Sequence, residues 1–419
     1  MNRYRDIISR IHYGFGIAVV ALLPFPQICL RYACVLWVIS WFMEGRWLSK
    51  PKSIKENPIA LPFILFGTWF AWKAISGLWS ADHAAWAWQM ERYLAFVLMI
   101  PMGIWGLNEH YRWQTLGKVL VASCICAVPA YLLWMLVMYY HPEWVPYLNL
   151  QEPWSINEDW WAFFAENISQ FKHRLFLCSV ELFGAIIAFQ LYYKRPVVLL
   201  PIWAVMLSVI PMTGSRQSIL SAVALLIAGL LCCLPAVRRR RYGAAIVLLG
   251  VVLGAGLLHF HPRMQEFELS DIKEMRELSS YHDVRLNIWG AALQHPEEYL
   301  AHGLGAGQSS NYLSEKYQAA GFDYYVYMHY HSHNQYLEEL MEIGLPGLLL
   351  FLLAWLSIPI CAQKEGRFTA ILFTILFMLN MCTDCMFGRF CGIALWAVGL
   401  VFLLLQTHTE GEEQTAGDA

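Results

Sequence analysis

The sequence predicts an all-α, polytopic membrane protein with about twelve transmembrane helices and one large outer loop between spans nine and ten. Hydrophobic residues make up 58% of the 419 residues and charged residues 14%, whereas soluble domains are about 45–50% apolar and about 25% charged. The mean hydropathy is +0.44. This composition excludes a soluble enzyme and a disordered scaffold. A net charge of -2 provides no field that would attract a nucleic acid.

The individual spans follow from the length of the apolar stretches, because a helix that crosses a bilayer needs about 20 apolar residues. Pro24 and Pro26 lie near the turn between the first two stretches, and prolines are tolerated at the end of a span. The twelve predicted spans are 13–27, 29–44, 59–78, 92–106, 118–139, 174–192, 196–212, 218–236, 242–260, 335–358, 368–386 and 390–406.

The orientation follows from the lysine and arginine residues of the short loops. Seventeen of them fall on one side of the predicted spans and six on the other. The richer side is the cytoplasmic one by the positive-inside rule, so both termini are predicted to be cytoplasmic. The basic N-terminal segment has no small-residue cleavage motif after its apolar run, and we therefore expect no cleavable signal peptide.

The chain divides into four parts on this basis. Residues 1–260 hold spans one to nine, 261–334 form the outer loop, 335–406 hold the last three spans, and 407–419 form a polar tail that we expect to be disordered. A loop as long as 261–334 is usually functional, and it contains no cysteine, so no disulfide framework is predicted. Residues 141–172 are predicted to lie on the outer membrane surface, because tryptophan favours the membrane–water interface. The tryptophans of this segment are Trp144, Trp154, Trp160 and Trp161.

The strongest local pattern is Ser332-His333-Asn334-Gln335, which leads into the tenth span. Serine at the N-cap with glutamine three residues later is a capping box, so His333 is predicted in the first turn of a helix. The positive helix end disfavours imidazolium and attracts phosphate, which suits a neutral base beside an anion. Such a pair is what glycosyl transfer from a diphosphate donor needs. The alternative is a histidine that only caps the helix.

The histidines His329, His331 and His333 alternate, so an extended chain would present them on one face. Imidazoles are metal ligands, but only Asp323 and Glu338 could complete a ligand set nearby. We therefore predict neither a metal site nor a cofactor.

A second pattern is the segment 213–218, which places Ser215 and Arg216 between spans seven and eight on the outer side. Hydroxyls, backbone N–H groups and a guanidinium fork can together bind phosphate. Arg216 runs against the charge bias of its side of the membrane, which favours a functional role. The alternative is that Arg216 anchors the protein to lipid headgroups.

Further basic residues are candidates for binding a diphosphate. Arg285 and Trp289 share one face of a predicted helix over 282–294, although Arg285 could instead pair with Asp283 or Glu277. Lys73 and Arg389 lie near outer span ends, as does Arg92. We interpret these three first as anchors whose charges reach the headgroups, and we keep Lys73 and Arg389 as candidates for the diphosphate site.

Two acids and one glycine run complete the candidate residues. Glu339 and Glu342 lie in the first turns of span ten, where they could pair with a basic residue or orient His333. Gly303, Gly305 and Gly307 are predicted to form a flexible break.

Absent motifs narrow the chemistry. The sequence has no Walker A motif, which argues against a P-loop ATPase. It also lacks a D-x-D motif, with which soluble nucleotide-sugar transferases commonly hold a metal diphosphate. This lack fits a donor whose diphosphate is held by arginines at the membrane surface.

These patterns resemble the O-antigen ligase and polymerase superfamily. The resemblance also includes Ser215-Arg216, Arg285-x-x-x-Trp289 and the glycine run, and its motif-specific parts are 213–218 and 283–348. The main signature reads His333-Asn334-x-x-Leu337-x-x-Leu340-x-Glu342-x-Gly344-x-x-Gly347-Leu348.

The resemblance implies a GT-C-like fold in the bacterial inner membrane with its active site on the periplasmic face. It implies an undecaprenyl-diphosphate-linked O-antigen donor and a lipid A–core acceptor, joined with inversion and without a metal or nucleotide sugar. His333 matches the position of the family's base, while Arg216 and Arg285 match its diphosphate-binding arginines. Asn334, His331, Trp289 and Glu342 are predicted to support them. The expected partners are these two substrates and membrane lipids, with no nucleic acid.

Three alternatives stay open within this frame. An O-antigen polymerase would extend the glycan itself, and a protein O-oligosaccharyltransferase would modify serine or threonine. The compact chain and its single large loop favour the ligase over both. A glycolipid transporter would place ionisable residues near the bilayer midplane, where the sequence offers chiefly Glu181 and Lys73.

Overall fold

The computed structural model describes residues 2–48, 57–141, 171–259, 284–364 and 366–417, and these residues form helices without any strand. The predicted interfacial segment 141–172 lies almost entirely outside the described residues, as does the first part of the outer loop. The helices of the first part are α1 (Asn2–Leu22), α2 (Gln27–Glu44), α3 (Ala60–Ile75), α4 (His83–Trp105), α5 (Trp113–Tyr140), α6 (Arg174–Tyr192), α7 (Pro196–Leu207), α8 (Val209–Met212), α9 (Arg216–Cys233) and α10 (Ala236–His259). Those of the second part are α11 (Val284–Ala292), α12 (Ser309–Ala319), α13 (Asp323–Met328), α14 (Gln335–Cys361), α15 (Arg367–Met381) and α16 (Phe390–Gly417).

The predicted apolar stretches coincide with these helices, so the protein is an all-helical, polytopic membrane protein. Among the residues that the structure describes, four helical segments are long and apolar enough by themselves to cross a membrane: Ala60–Leu78, Trp113–Tyr140, Arg174–Tyr192 and Gln335–Cys361. The number of twelve crossings stays a prediction.

The predicted seventh span, 196–212, is divided into α7 and α8 at Ser208. Pro211 accounts for the division, because proline has no N–H to donate to the carbonyl of Leu207 and its ring would clash with that carbonyl.

Aromatic side chains fill the core beneath the outer end of α14. Phe96 of α4 and Trp396 of α16 stack with ring centroids 4.2 Å apart, and Trp355 of α14 stacks on Phe377 at 4.7 Å. Phe387, in the turn before α16, packs on several of these rings. Large buried rings contribute strongly to packing, so this core holds α4, α14 and the 385–389 turn in fixed positions.

The second half of the outer loop forms a small helical platform. Helices α11, α12 and α13 pack around Ile288, Leu313, Tyr317 and Tyr325, and this second core includes Met341 of α14. The platform is therefore joined to the membrane helix that begins directly after it.

Helix α14 is broken at Gly344, whose φ of 67° and ψ of -175° are not helical. Pro346 cannot donate to the carbonyl of Glu342, so the break frees backbone carbonyls that need other donors. The platform supplies them: the N–H of Leu304 donates to Met341 O at 2.8 Å, and that of Gly305 donates to Glu342 O at 2.9 Å. The break thus docks the outer loop onto α14.

The glycine run is closely packed, which corrects the prediction of a flexible break. Gly303, Gly305 and Gly307 all have positive φ. A Cβ atom on Gly303 would lie 2.3 Å from the backbone oxygen of Glu342, and one on Gly305 would lie 2.6 Å from the Ser80 side chain. Glycine is required here by a left-handed backbone and close approach rather than by flexibility.

Candidate active site

Two histidines of the predicted run meet at the outer end of α14. The rings of His331 and His333 lie 4.0 Å apart, and the backbone N–H of His333 donates to His331 Nδ1 at 3.1 Å. The neutral His331 ring therefore carries its proton on Nε2. Burial lowers the pKa of His331, and His333 acts in the same direction, so the neutral form is favoured.

The cap of α14 is Asn334 and not Ser332, so the predicted capping box is wrong. Asn334 Oδ1 accepts hydrogen bonds from the backbone N–H groups of Tyr336 at 3.0 Å and Leu337 at 3.2 Å. Ser332 instead donates to Glu338 Oε2 at 2.6 Å. His333 has a φ of 46°, which no α-helical residue adopts, and it precedes the first turn. Because Asn334 already takes those N–H groups, the helix start offers fewer donors to a phosphate than predicted.

Asp384 is a site residue that the sequence interpretation missed. It is 4% exposed, and its Oδ1 lies 3.8 Å from His333 Nδ1 and accepts the N–H of Cys385 at 2.8 Å. Burial acts to raise the pKa of Asp384, but His333, His173 and His331 surround the carboxyl and hold this pKa below its usual value. The available signal was that Asp384 is the sole acidic residue between 366 and 409.

His173 is a second missed residue. It immediately precedes α6. It lies close enough to Asp384, Arg389 and His333 for their charges to affect its pKa. Burial lowers the pKa of His173 to about 4, Asp384 opposes this change, and Arg389 acts with burial.

A polar cavity of about 460 Å³, called the site cavity here, adjoins the histidines. The residues that line it include His329, His331, Glu338, Arg92 and Arg389. The guanidinium of Arg92 lies 3.7 Å from the centroid of the Trp88 ring, which holds it in place by a cation–π contact. Arg389, which the sequence kept as a candidate, and Arg92, which it took as an anchor, thus line the same cavity. The cavity can hold an anion beside imidazole groups.

The histidines also form a possible metal-binding set. Ligand atoms of His331, His333 and Asp384 lie within 4.8 Å of one another. Two imidazoles and one carboxylate are a donor set that zinc accepts. The carboxylate is Asp384, whereas the sequence had suggested only Asp323 and Glu338.

The prediction that Lys73 binds the diphosphate is wrong. Its Nζ lies 2.9 Å from Glu339 Oε1 and 2.8 Å from Glu342 Oε2, and its side chain is fully buried. Trp69 Nε1 also donates to Glu339 at 2.9 Å, and Gln89 Nε2 donates to Glu342 at 2.9 Å. The sequence suggested that these glutamates pair with a basic residue, and they do. Because Lys73 is buried and paired with two glutamates, it holds α3 against α14 and cannot reach a phosphate.

Arg285 lies on α11, the platform helix that contacts residues 329–333, which we call the histidine loop. Trp289, one turn after it, donates its Nε1–H to Ser332 O at 3.0 Å. The shared face predicted for Arg285 and Trp289 therefore belongs to a helix that is packed against the residue preceding His333. Arg285 itself is exposed.

Arg216 is the first residue of α9, and Ser215 is its N-cap. The next turn is joined to the end of α15, because Gln217 Nε2 donates to Leu379 O at 2.6 Å and Ser221 donates to Asn380 Oδ1 at 3.1 Å. The loop that follows α15 carries Asp384. The helix start of Arg216 is thus connected to the element that supports His333.

The tyrosines of the platform have different environments. Tyr325 is buried and its hydroxyl accepts a hydrogen bond from Asn287 at 3.1 Å, so it belongs to the platform core. Tyr324 and Tyr327 are 60% and 79% exposed. These two outward rings can contact a sugar or the membrane interface, because a tyrosine ring has an apolar body and a polar tip.

Comparison with known families gives one match. Residues 201–352 match the family model described as O-Antigen ligase. This match confirms the resemblance to the O-antigen ligase family and supports a ligase or polymerase type of function, typical of glycosyltransferase-like enzymes that act on lipid-linked glycans. No curated protein matches the chain.

The ligase-family segment, residues 201–352, includes Arg216, Arg285 and His333. Asp384, Arg92 and Arg389 lie outside it. The segment therefore contains the motif residues, while part of the cavity wall is built by the rest of the chain.

Proposed function

We propose that the protein is an O-antigen ligase, which transfers a glycan from undecaprenyl diphosphate to a sugar hydroxyl of lipid A–core at the periplasmic face of the inner membrane. One observation carries the proposal: His333, within residues 201–352, lies beside the buried Asp384 and 4.0 Å from the ring of His331, which lines a cavity together with Arg92 and Arg389. Base, carboxylate and cations are the groups that transfer from a diphosphate requires.

In the proposed reaction His333 is the base. Its imidazole takes the proton of the acceptor hydroxyl as the oxygen attacks the anomeric carbon of the donor sugar. The bond from that carbon to the diphosphate oxygen breaks, and the leaving diphosphate takes the electron pair. A single displacement of this kind inverts the anomeric centre. Asp384 orients His333 and stabilises the imidazolium, as a buried aspartate does in an Asp–His pair.

The proposal assigns the diphosphate to the arginines. Arg389 and Arg92 line the site cavity, and Arg216, with Ser215 beside it, and Arg285 are the motif residues. Guanidinium forks bind phosphate oxygens in pairs and stabilise the charge that develops on the leaving group. These groups supply positive charge directly, so the proposed reaction uses no metal ion.

The test is transfer by the purified full-length protein, with lipid-linked donor, lipid A–core and EDTA. We expect His333→Ala and Arg216→Ala to abolish transfer while the protein still inserts and folds, and a lost base alone costs about 10²–10⁴-fold in rate. Asp384→Asn should lower kcat more than it raises the donor KM, because Asp384 acts through His333. The matched control is His295→Ala, an exposed outer-loop histidine that lies 3.1 Å from Glu297.

Wild-type rates from His333→Ala would overturn the proposed base. Loss of activity in EDTA that zinc restores would replace the metal-free mechanism with one that uses His331, His333 and Asp384 as ligands. A product in which the donor glycan is lengthened, with lipid A–core unmodified, would make the protein a polymerase. A glycosylated serine or threonine would make it a protein transferase.

A further inference from the structure

A second cavity of about 640 Å³ lies between α2, α4 and the start of α16. This lateral cavity, as we name it, is lined by Gln27 and Arg31 of α2 and by Ile393 of α16, among others. It shares part of its wall with the site cavity, namely Trp88, Arg92, Phe387, Gly388 and Arg389. A molecule in the lateral cavity would therefore lie next to the candidate active site.

Three arginines without acidic partners line the lateral cavity. Arg31, Arg92 and Arg389 each lack a carboxylate within 4.0 Å in the described part of the chain, and Glu91 is the one acidic residue of this lining. Arg92 is held over Trp88, and Arg31 lies 5.9 Å from the Phe390 ring centroid. Like charges that converge on one space repel each other unless an anion joins them, so this arrangement favours binding of phosphate.

Below the arginines the lining becomes apolar. A narrow slot of about 90 Å³ between the same three helices shares Val35, Phe390 and Ile393 with the lateral cavity. Its other lining residues are hydrophobic or cysteine, including Val38, Leu98 and Met99. Positive charge above and hydrocarbon below complement an amphipathic molecule that has an anionic head and an apolar chain.

We propose that the lateral cavity binds the phosphorylated head of the acceptor glycolipid, while one of its chains enters the apolar slot. This inference rests on the proposed function, in which two lipid-anchored substrates must meet. Branches of the superfamily share their type of donor and differ in acceptor, and the ligase-family segment contains Arg216 and Arg285. Arg31 lies outside that segment and lines only the lateral cavity, whereas Arg92 and Arg389 line both cavities and lie between the two substrates.

Arg31 is the residue that separates the two substrates. It lines the lateral cavity and not the site cavity, whereas Arg92 and Arg389 line both. Arg31 is also exposed, so its substitution should leave the fold intact. Arg31→Gln removes the charge, and Arg31→Lys keeps the charge but removes the planar fork.

The experiment measures lipid binding to the full-length protein in nanodiscs by native mass spectrometry. The probes are diphosphoryl lipid A, undecaprenyl diphosphate and phosphatidylglycerol. We expect Arg31→Gln to weaken diphosphoryl lipid A binding about tenfold, because hydrogen bonds to charged groups contribute that much or more. The affinity of Arg31→Lys for diphosphoryl lipid A should lie between those of the wild type and Arg31→Gln. The affinity of both variants for undecaprenyl diphosphate should equal that of the wild type. Arg195→Gln, on the predicted cytoplasmic side, is the matched control.

Three results would overturn the inference. If Arg31→Gln weakened the binding of undecaprenyl diphosphate equally, the lateral cavity would be a donor site. Equal weakening of phosphatidylglycerol would make it a general lipid contact. Unchanged binding of diphosphoryl lipid A would remove Arg31 from the site. A wild-type protein that binds diphosphoryl lipid A through Arg31 but transfers no glycan would instead sink the proposed function, so the two failures are distinguishable.

Discussion

At the scale of single residues, two histidines have backbone angles that side chains seldom adopt. His329 and His333 have φ values of 48° and 46°, and they are the only non-glycine residues with positive φ in the described part of the chain. Such a conformation costs on the order of 1–2 kcal/mol for a residue with a Cβ atom. It persists because neighbouring contacts fix it: the His333 ring lies 4.0 Å from the His331 ring at an angle of 34°, and it lies beside Asp384. The backbone strain therefore helps to aim the imidazole.

Stability is expected to depend on pH through His173. Its folded pKa is about 4, below the value of about 6.5 for an unfolded chain. Between these values the unfolded protein binds more protons, so the free energy of unfolding falls as the pH drops from about 6.5 to about 4. Melting temperatures at pH 7.5 and 5.0 measure this loss, which His173→Gln should reduce. His295→Gln is the control, and an equal pH response of the two variants would contradict the assignment.

At the scale of elements, the broken helix α14 joins the other parts of the candidate site to one another. Above the break, Glu338, Glu339 and Glu342 bind the histidine loop, Lys73 and the platform. The N–H of Gly307 donates to Glu342 Oε1 at 2.9 Å, and Ser309 donates to Glu338 Oε1 at 2.8 Å. Buried polar groups that are fully paired stabilise one arrangement over others. The hydrogen bonds of these three glutamates therefore set the position of His333 relative to α3 and α4.

Substitution of Gly344 should undo this arrangement. A Cβ atom there would lie 2.8 Å from the backbone of His302 and Gly303, and the φ of 67° disfavours any side chain. We expect Gly344→Ala to lower the melting temperature and to reduce transfer. Gly14→Ala is the control, because a Cβ atom on this exposed helical glycine meets nothing within 4 Å and alanine favours helix. Equal melting temperatures for the two variants would show that the break tolerates a side chain.

At the scale of the whole molecule, the charge bias fixes the proposed orientation. Seventeen basic residues in predicted cytoplasmic loops against six in outer ones should keep both termini inside the cell. A phosphatase fused after residue 406 should then be inactive, and the same enzyme inserted between α12 and α13, at Ala320, should be active. An active C-terminal fusion would reverse the topology and with it the side of the active site.

The helices could be predicted from the sequence because apolar length is a local property. Arg389 could be named as a candidate because a basic residue at a predicted span end is visible in the local sequence, and its role in binding a diphosphate stays a prediction. The pairing of Lys73 with Glu339 joins residues 266 positions apart, and no local pattern encodes such a contact. Asp384 was missed for the same reason: His333 lies 51 positions earlier in the sequence. The capping error arose because Ser332 and Asn334 both fit an N-cap and only the three-dimensional partners decide between them.

The joint between the outer loop and α14 limits how such proteins can be recombined. Leu304, Gly305 and Leu345 exchange backbone hydrogen bonds across it with Met341, Glu342 and Leu300. A chimera that takes residues 284–334 from one relative and α14 from another would cut through this joint, unless the crossover lies beyond residue 347. Swapping 284–347 as a single block keeps both sides of this joint matched, so these residues should be exchanged together.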